Sequence, residues 1–392
     1  MHIRLIRTFY LFVILFFSNA CNLNGKSPSP DNAPKFGKVV LQYSDTTLPE
    51  YKRMIYRLDT FYQRQIATGF NGSVLIGYKG KILYERYFGI SQKETGERWS
   101  TETRSQLAST SKTLTSGAIC ILKDKGLLSF DDLVTKFIPN FPYPTITLRM
   151  LLCHRSGLAD YVHFAAAPKG KLYLSNEDIV NLFANNKPKL QFVPNTRFTY
   201  CNSNFAILAS VVEHISGMRF DYFMKRFVFG PIGMDHTYVI NPNEEQKCNS
   251  ACCYNYKWVI EKDMHLDGVA GDKGVYSSVR DLYKWDQALY SGKFIMPSTL
   301  KEAFAPYSFE RPGVKNYGLG WRMLNYPNGM KIVYHNGWWH GNNTCFYRFI
   351  QDNFTIIVLG NKYNKNIYHQ PQQIYNIVMG EDPSKAEMNT EE

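Results

Sequence analysis

The sequence lacks the short signatures that announce several enzyme classes. There is no Gly-x-Ser-x-Gly elbow, no His-Glu-x-x-His, no Gly-x-x-x-x-Gly-Lys and no Gly-x-Gly-x-x-Gly. These absences argue against an α/β-hydrolase, a zinc protease, a nucleotide hydrolase and a Rossmann dehydrogenase. Runs of like charge are missing too. Lysine plus arginine exceed aspartate plus glutamate by 12 over 392 residues, yet no five basic residues run together and no basic stripe alternates with aromatics. The charge therefore reads as a solvated surface, and no nucleic-acid partner is expected. Beyond the first 21 residues no apolar stretch approaches the 18 or so residues of a spanning helix. Among the eight cysteines, Cys248, Cys252 and Cys253 form the only cluster. A fourth ligand at a usual zinc spacing does not follow, so neither metal nor cofactor is expected. The seven cysteines after Cys21 cannot all pair within one chain, and a local disulfide and unpaired thiols both stay open.

What is abundant is aromatic: 27 tyrosines and 26 phenylalanines, enough for a large core or for a surface that grips polymers. The N-terminus reads as an address. Arg4 and Arg7 precede an apolar run from Phe9 to Phe17, then Ser18, Asn19, Ala20 and Cys21. Small residues ending at a cysteine resemble a bacterial lipoprotein signal, cut before Cys21 so that its thiol carries lipid. Residues 1–20 are then a signal peptide and 21–49 a polar tether broken by Pro28, Pro30 and Pro34. The expected protein is exported and attached to an envelope membrane only through that lipid, its domain in the periplasm or at the cell surface. Residues 50–380 form the expected domain and 381–392 a disordered tail.

Within the domain, helical spacing of Ile55, Leu58 and Tyr62 predicts a helix over Tyr51 to Ile66, followed by a hairpin of Ser73 to Tyr78 and Lys81 to Phe88. Ser109 to Lys125 reads as a helix closed by Gly126, and Ile146 to Cys153 as another. Ser175 to Ile232 is mostly helical in pattern. Strands return at Gly318 to Leu324, Lys331 to His335, Asn343 to Phe349 and Phe354 to Leu359, with a last helix over Asn366 to Met379. The expected class is α+β, an antiparallel sheet flanked by helices with an all-helical region inserted.

Three short patterns can carry chemistry. Ser109-Thr110-Ser111-Lys112 opens a predicted helix, where residues three apart share a face, so Lys112 can take the proton of the Ser109 hydroxyl if burial keeps its amine neutral. The pattern alone is weak, because Ser298 to Lys301 repeats it. Tyr200-Cys201-Asn202 can set a phenol and an amide on one side of a cleft, although Tyr326 to Asn328 and Tyr334 to Asn336 match equally. His335-Asn336-Gly337 closes a predicted strand. There Gly337 would let a substrate approach the backbone, and Trp338 would offer a backbone N–H to an oxyanion.

In order, these boxes resemble the penicillin-recognising serine hydrolases, in the branch of class C β-lactamases, D-Ala-D-Ala carboxypeptidases and related esterases. The segments LLCHRSGLADY (151–161), PNTRFTYCNSNFAIL (194–208), GDKGVYSSVRDLYKWDQAL (271–289), YGLGW (317–321) and HNGWWHG (335–341) extend the likeness over 51–379. The resemblance implies a β-lactamase/transpeptidase-like fold. It makes Ser109 the nucleophile, Lys112 its proton partner, Tyr200 the base and Asn202 the holder of the substrate amide. The oxyanion donors would be the N–H groups of Ser109 and Trp338, and His154 would lie in a structural loop. Where β-lactamases of the branch carry lysine in the third box, this chain has His335, a group that ordinarily titrates near pH 6.5, as in the esterase and D-aminopeptidase-like members. The expected function is acyl transfer from a small ester, amide or peptide, D-amino-acid cell-wall peptides among them. A ligand-binding or sensor lipoprotein without turnover is the alternative, and a true β-lactamase is less favoured.

Overall fold

A computed structural model describes residues 36–167, 169–241 and 249–380. The signal, Cys21, most of the tether, Cys248 and the tail lie outside the described residues. Twelve strands are present among them: β1 (Gly72–Tyr78), β2 (Lys81–Phe88), β3 (Ile90–Gln92), β4 (Glu97–Arg98), β5 (Ser105–Gln106), β6 (Tyr238–Val239), β7 (Val275–Ser277), β8 (Lys315–Tyr317), β9 (Arg322–Asn325), β10 (Lys331–Trp339), β11 (Asn342–Phe349) and β12 (Phe354–Gly360). The helices are α1 (Pro49–Ala67), α2 (Ser111–Asp124), α3 (Leu148–Leu152), α4 (Asn176–Asn186), α5 (Asn202–Ser216), α6 (Phe220–Phe223), α7 (Gly230–Ile232), α8 (Val279–Tyr290), α9 (Pro297–Ala303) and α10 (Gln370–Met379).

Seven strands form one antiparallel sheet in the order β2-β1-β12-β11-β10-β9-β8. The N-terminal hairpin thus pairs with the last strand, Val74 opposite Val358, and the chain between β2 and β8 is an excursion of helices and short strands. Both faces of the sheet are covered, which is why its central strands are apolar at successive positions. Val74, Ile76, Tyr347 and Val358 face Leu58 and Tyr62 of α1 and Ile374 of α10. Leu75, Phe346, Ile357 and Leu359 belong to the larger core with Leu114 of α2 and Trp285 of α8.

Local rules account for most ends. Pro49 and Glu50 open α1 where a missing N–H costs nothing and the helix dipole favours an acid. Ser175 and Asp178 make a reciprocal capping box at α4. Gly117, in the middle of α2, is a poor helix former. A Cβ there would lie 2.3 Å from the ring of Trp285, so its absence lets α8 approach.

Several expected boundaries move. The Ser109–Lys125 helix is split into a 3-10 turn, Ala108–Thr110, and α2, which ends at Asp124. The predicted strand ending at His335 runs on to Trp339, so His335-Asn336-Gly337 lies inside β10. The strand from Gly318 begins at Arg322, and β8 precedes it. No disulfide joins any two of the six described cysteines, Cys120, Cys153, Cys201, Cys252, Cys253 and Cys345. No group of side chains able to hold a metal ion occurs among the described residues.

Candidate active site

The site is built where α2 begins. Leu107 donates its N–H to Val275 of β7 at 2.8 Å, and the next residue, Ala108, has φ +48°, a left-handed conformation that costs a residue bearing a Cβ about 1 kcal/mol or more. The surroundings impose it. Thr344 of β11 donates to the Leu107 carbonyl at 2.9 Å, and Thr110 bonds Thr344 at 2.8 Å and the His335 carbonyl at 3.3 Å. Ser109, partly exposed between buried neighbours, is thereby pinned beside β10. Gly337 belongs to this fit. A Cβ on it would fall 2.3 Å from the Leu107 oxygen and from Thr344 Oγ1, and 3.2 Å from the Ala108 Cβ. On its Cβ side, Gly337 thus makes room for the turn that carries Ser109.

Lys112 is fully buried one helical turn on. Its Nζ lies 3.1 Å from Ser109 Oγ, 2.9 Å from Asn202 Oδ1 and 2.8 Å from the Asp272 carbonyl oxygen. The last two can only accept. A neutral amine must therefore spend both its N–H bonds on them, and its lone pair is left facing the one partner able to donate, the Ser109 hydroxyl. Burial, the largest influence, pushes the Lys112 ammonium down to about 8, against the pull of Asp272 and Asp160. The amine form is then accessible close to neutral pH.

The orientation of Asn202 at the start of α5 follows from Asp160, whose Oδ2 takes both the backbone N–H and the Nδ2 of Asn202 at 2.9 Å. The amide nitrogen faces the carboxylate, so the oxygen faces the lysine. The Tyr200 ring lies 4.9 Å from Lys112 Nζ and 5.2 Å from the guanidinium of Arg322, and 4.4 Å from the ring of His154.

The histidines form a directed chain. His154 Nδ1 receives the N–H of Cys201 at 3.2 Å and the Asn204 amide at 3.0 Å, so its proton sits on Nε2 and goes to the Tyr317 hydroxyl at 3.1 Å. Tyr317 then donates to His335 Nε2 at 3.1 Å, and His335 Nδ1 donates to the Asn336 carbonyl at 2.6 Å. Each ring nitrogen is satisfied with both imidazoles neutral. Burial, then the Arg322 and Lys112 charges, hold His335 well below its ordinary value, and burial does the same to His154. The expectation that His335 titrates near pH 6.5 is corrected accordingly: a buried imidazole facing two cations stays uncharged.

A permanent cation is nevertheless present. Arg322, the first residue of β9, forms the pair with β10 nearest the site, opposite Tyr334; from His335 to Trp339 the strand pairs with β11. Sequence reasoning gave Arg322 no role, though it directly follows the YGLGW block. It also passed over Asp160, Asp272 and Tyr317, all inside blocks noted for their likeness. Trp338 turns outward, 55% exposed, its indole N–H bonded to the His340 carbonyl at 2.9 Å.

An antiparallel sheet with a helical insertion, and a buried lysine aimed at a serine on a strained helix turn, define a serine acyl-transfer class of protein. The comparisons agree. The family model described as Beta-lactamase matches residues 61–374. Penicillin-binding protein 4* of Bacillus subtilis is 35% identical over 317 residues, which are 77% of this chain and 70% of that protein. A D-aminopeptidase of Cereibacter sphaeroides is 25% identical over 72% of this chain and 55% of its own length. In fold, the penicillin-binding protein from Bacillus halodurans superposes with a TM-score of 0.71 at 22% identity, over 81% of this chain and 97% of that one. The D-amino acid amidase from Ochrobactrum anthropi does so with 0.69 at 19%, over 86% and 99%. The chain belongs to the β-lactamase family of penicillin-recognising serine hydrolases.

Proposed function

We propose that this protein is an exported serine hydrolase that takes an acyl group from an ester or amide onto Ser109 and passes it to water, with D-amino-acid peptides of the cell wall the favoured substrates. The observation that carries the reading is the lone-pair direction of Lys112. Its two N–H bonds are claimed by acceptors, so only Ser109 can hand it a proton. As the Ser109 oxygen bonds the substrate carbonyl carbon, its proton moves to Lys112 and the carbonyl electrons become an oxyanion. Collapse expels the amine or alcohol, which leaves with a proton returned from Lys112 or the neighbouring Tyr200. Water then repeats the sequence on the ester. Arg322 favours a substrate with a carboxylate near the reacting bond, since a guanidinium matches two carboxylate oxygens. The D-aminopeptidase and D-amino acid amidase among the similar proteins support an amide.

A fluorophosphonate probe is expected to tag the wild-type protein and not Ser109→Ala. Equal tagging would overturn the mechanism. A panel of chromogenic esters, D-amino-acid amides and a cephalosporin then identifies the substrate, and tagging without turnover of any of them would mark a binding protein. In cell fractions the tagged band is expected with the membranes, and in the soluble fraction for Cys21→Ser; an unmoved band would remove the lipid anchor from the proposal.

A further inference from the structure

Behind Lys112 lies a second buried lysine that this chemistry does not use. Lys273 stands just before β7, 2% exposed, with its ammonium against the Tyr161 hydroxyl, 3.4 Å from Asp272 Oδ2 and 3.5 Å from the Val269 carbonyl. The rings of Trp339 and Tyr161 lie 4.9 and 5.1 Å from it. None of these contacts is with Ser109, Tyr200 or Asn202. What links it to them is Asp272, whose carboxylate Oδ2 takes the Tyr161 hydroxyl at 3.0 Å and faces Lys273, while its peptide oxygen takes the N–H of Lys112 at 2.8 Å. The other carboxylate oxygen is buried and has no hydrogen-bond partner among the described residues. A carboxylate so far from water needs a cation beside it, and Asp272 has two that compete for it.

We propose that Lys273 is a positioning residue that, by sharing Asp272 with Lys112, sets the pH above which Lys112 can accept the proton of Ser109. The proposal rests on the acyl-transfer reading above. The charged and titratable groups facing Lys112 are Asp272, Asp160, Arg322 and Cys201, together with the Tyr200 phenol, whose ring lies 4.9 Å away. Those facing Lys273 are Asp272, Asp267, Lys112 and Tyr161, with Asp267 engaged on its other side by His340 at 3.0 Å. His154 and His335 are neutral and add no charge. Lys273 thus opposes the charged form of Lys112 in two ways, as a like charge and as a rival for Asp272. Burial lowers both lysines, and the charge of Lys112 lowers Lys273 further.

The test is the rate of fluorophosphonate tagging of the full chain from about pH 6 to 10, which needs no knowledge of the substrate. Lys273→Met, close in volume and uncharged, leaves Asp272 to Lys112 alone, so the acidic limb is expected to move up by about one pH unit. Lys273→Met with Asp272→Asn removes both charges, and the limb is expected to return toward the wild-type position. Lys273→Gln keeps a donor toward Tyr161 and Asp272, and is expected to shift the limb as Lys273→Met does; it serves where methionine impairs folding. A lysine that only props the fold would slow tagging at every pH, and the double variant would be worse than the single. An unmoved limb in Lys273→Met and Lys273→Gln, or a double variant that coincides with the single, overturns the proposal. Tagging that survives Ser109→Ala would instead overturn the acyl-transfer reading.

Discussion

Two segments of the chain obey one spacing and share nothing else. Ser109 and Lys112 flank the passage from the 3-10 turn into α2, and Ser298 and Lys301 lie within the short helix α9. Lys112 is fully buried and meets two obligate acceptors and a hydroxyl. Ser298 and Lys301 are exposed, and Pro297 at the first helical position makes theirs an ordinary helix start. The residue between them that matters is Thr299, buried and bonded to Asp124 at 2.5 Å, so the second copy serves to dock α9 on the end of α2. A Ser-x-x-Lys spacing fixes only that two side chains share a helix face. Whether the lysine is a base depends on how much water it has lost and on which atoms hold its protons.

The sharpest way to break this contrast is to remove each lysine. Lys112→Met is expected to slow fluorophosphonate tagging by about 10³-fold, within the range for loss of a general base, whereas Lys301→Met should leave the rate within about twofold, as for other exposed positions. Comparable losses would mean that burial is irrelevant. Next in size is pH. With Lys112 pushed down to about 8, the reactive form is its neutral amine, so the tagging rate should fall tenfold per unit as pH drops below about 8 and level off above it. Because His335 stays neutral, no second break near pH 6.5 is expected; one that disappears in His335→Gln would restore it as a titrating group. The smallest effect sharpens the other side of the site. Tyr317→Phe cuts the chain between His154 and His335, leaving buried nitrogens unmet at a cost of about 1–3 kcal/mol. Tagging should slow about tenfold and thermal stability fall, with the pH limb unmoved. A shift of that limb would show that Tyr317 tunes Lys112.

The same contrast explains how far the sequence was legible. Apolar runs in β1, β11 and β12 and the helical spacing of α1 arise from burial patterns that repeat along the chain, and they marked the sheet and its covering helices. Short elements escaped: β8 has three residues, too few for a period to show. The boxes around Ser109, Tyr200 and His335 could be picked from look-alikes by their order and flanking blocks. The partners that orient them could not. Asp160 reaches Asn202 across 42 positions and Asp272 reaches Lys112 across 160, and no local spacing encodes such distances.

The likeness of Tyr-x-Asn at 200, 326 and 334 makes the same point on the sheet. Tyr334 stacks on Tyr347 at 4.5 Å in the core under α1 and α10, while Tyr200 lies beside Lys112. The sequence alone determined the family, the order of the elements and which residues were available for chemistry, because these depend on residue type and on contacts near in the chain. The tertiary structure alone decided which lysine loses its solvent, that His335 is neutral, that Gly337 makes room for the Ser109 turn, and that Arg322 brings the permanent cation. Those outcomes are electrostatic and steric sums over residues far apart in sequence, and they take a value only when the fold has brought them together.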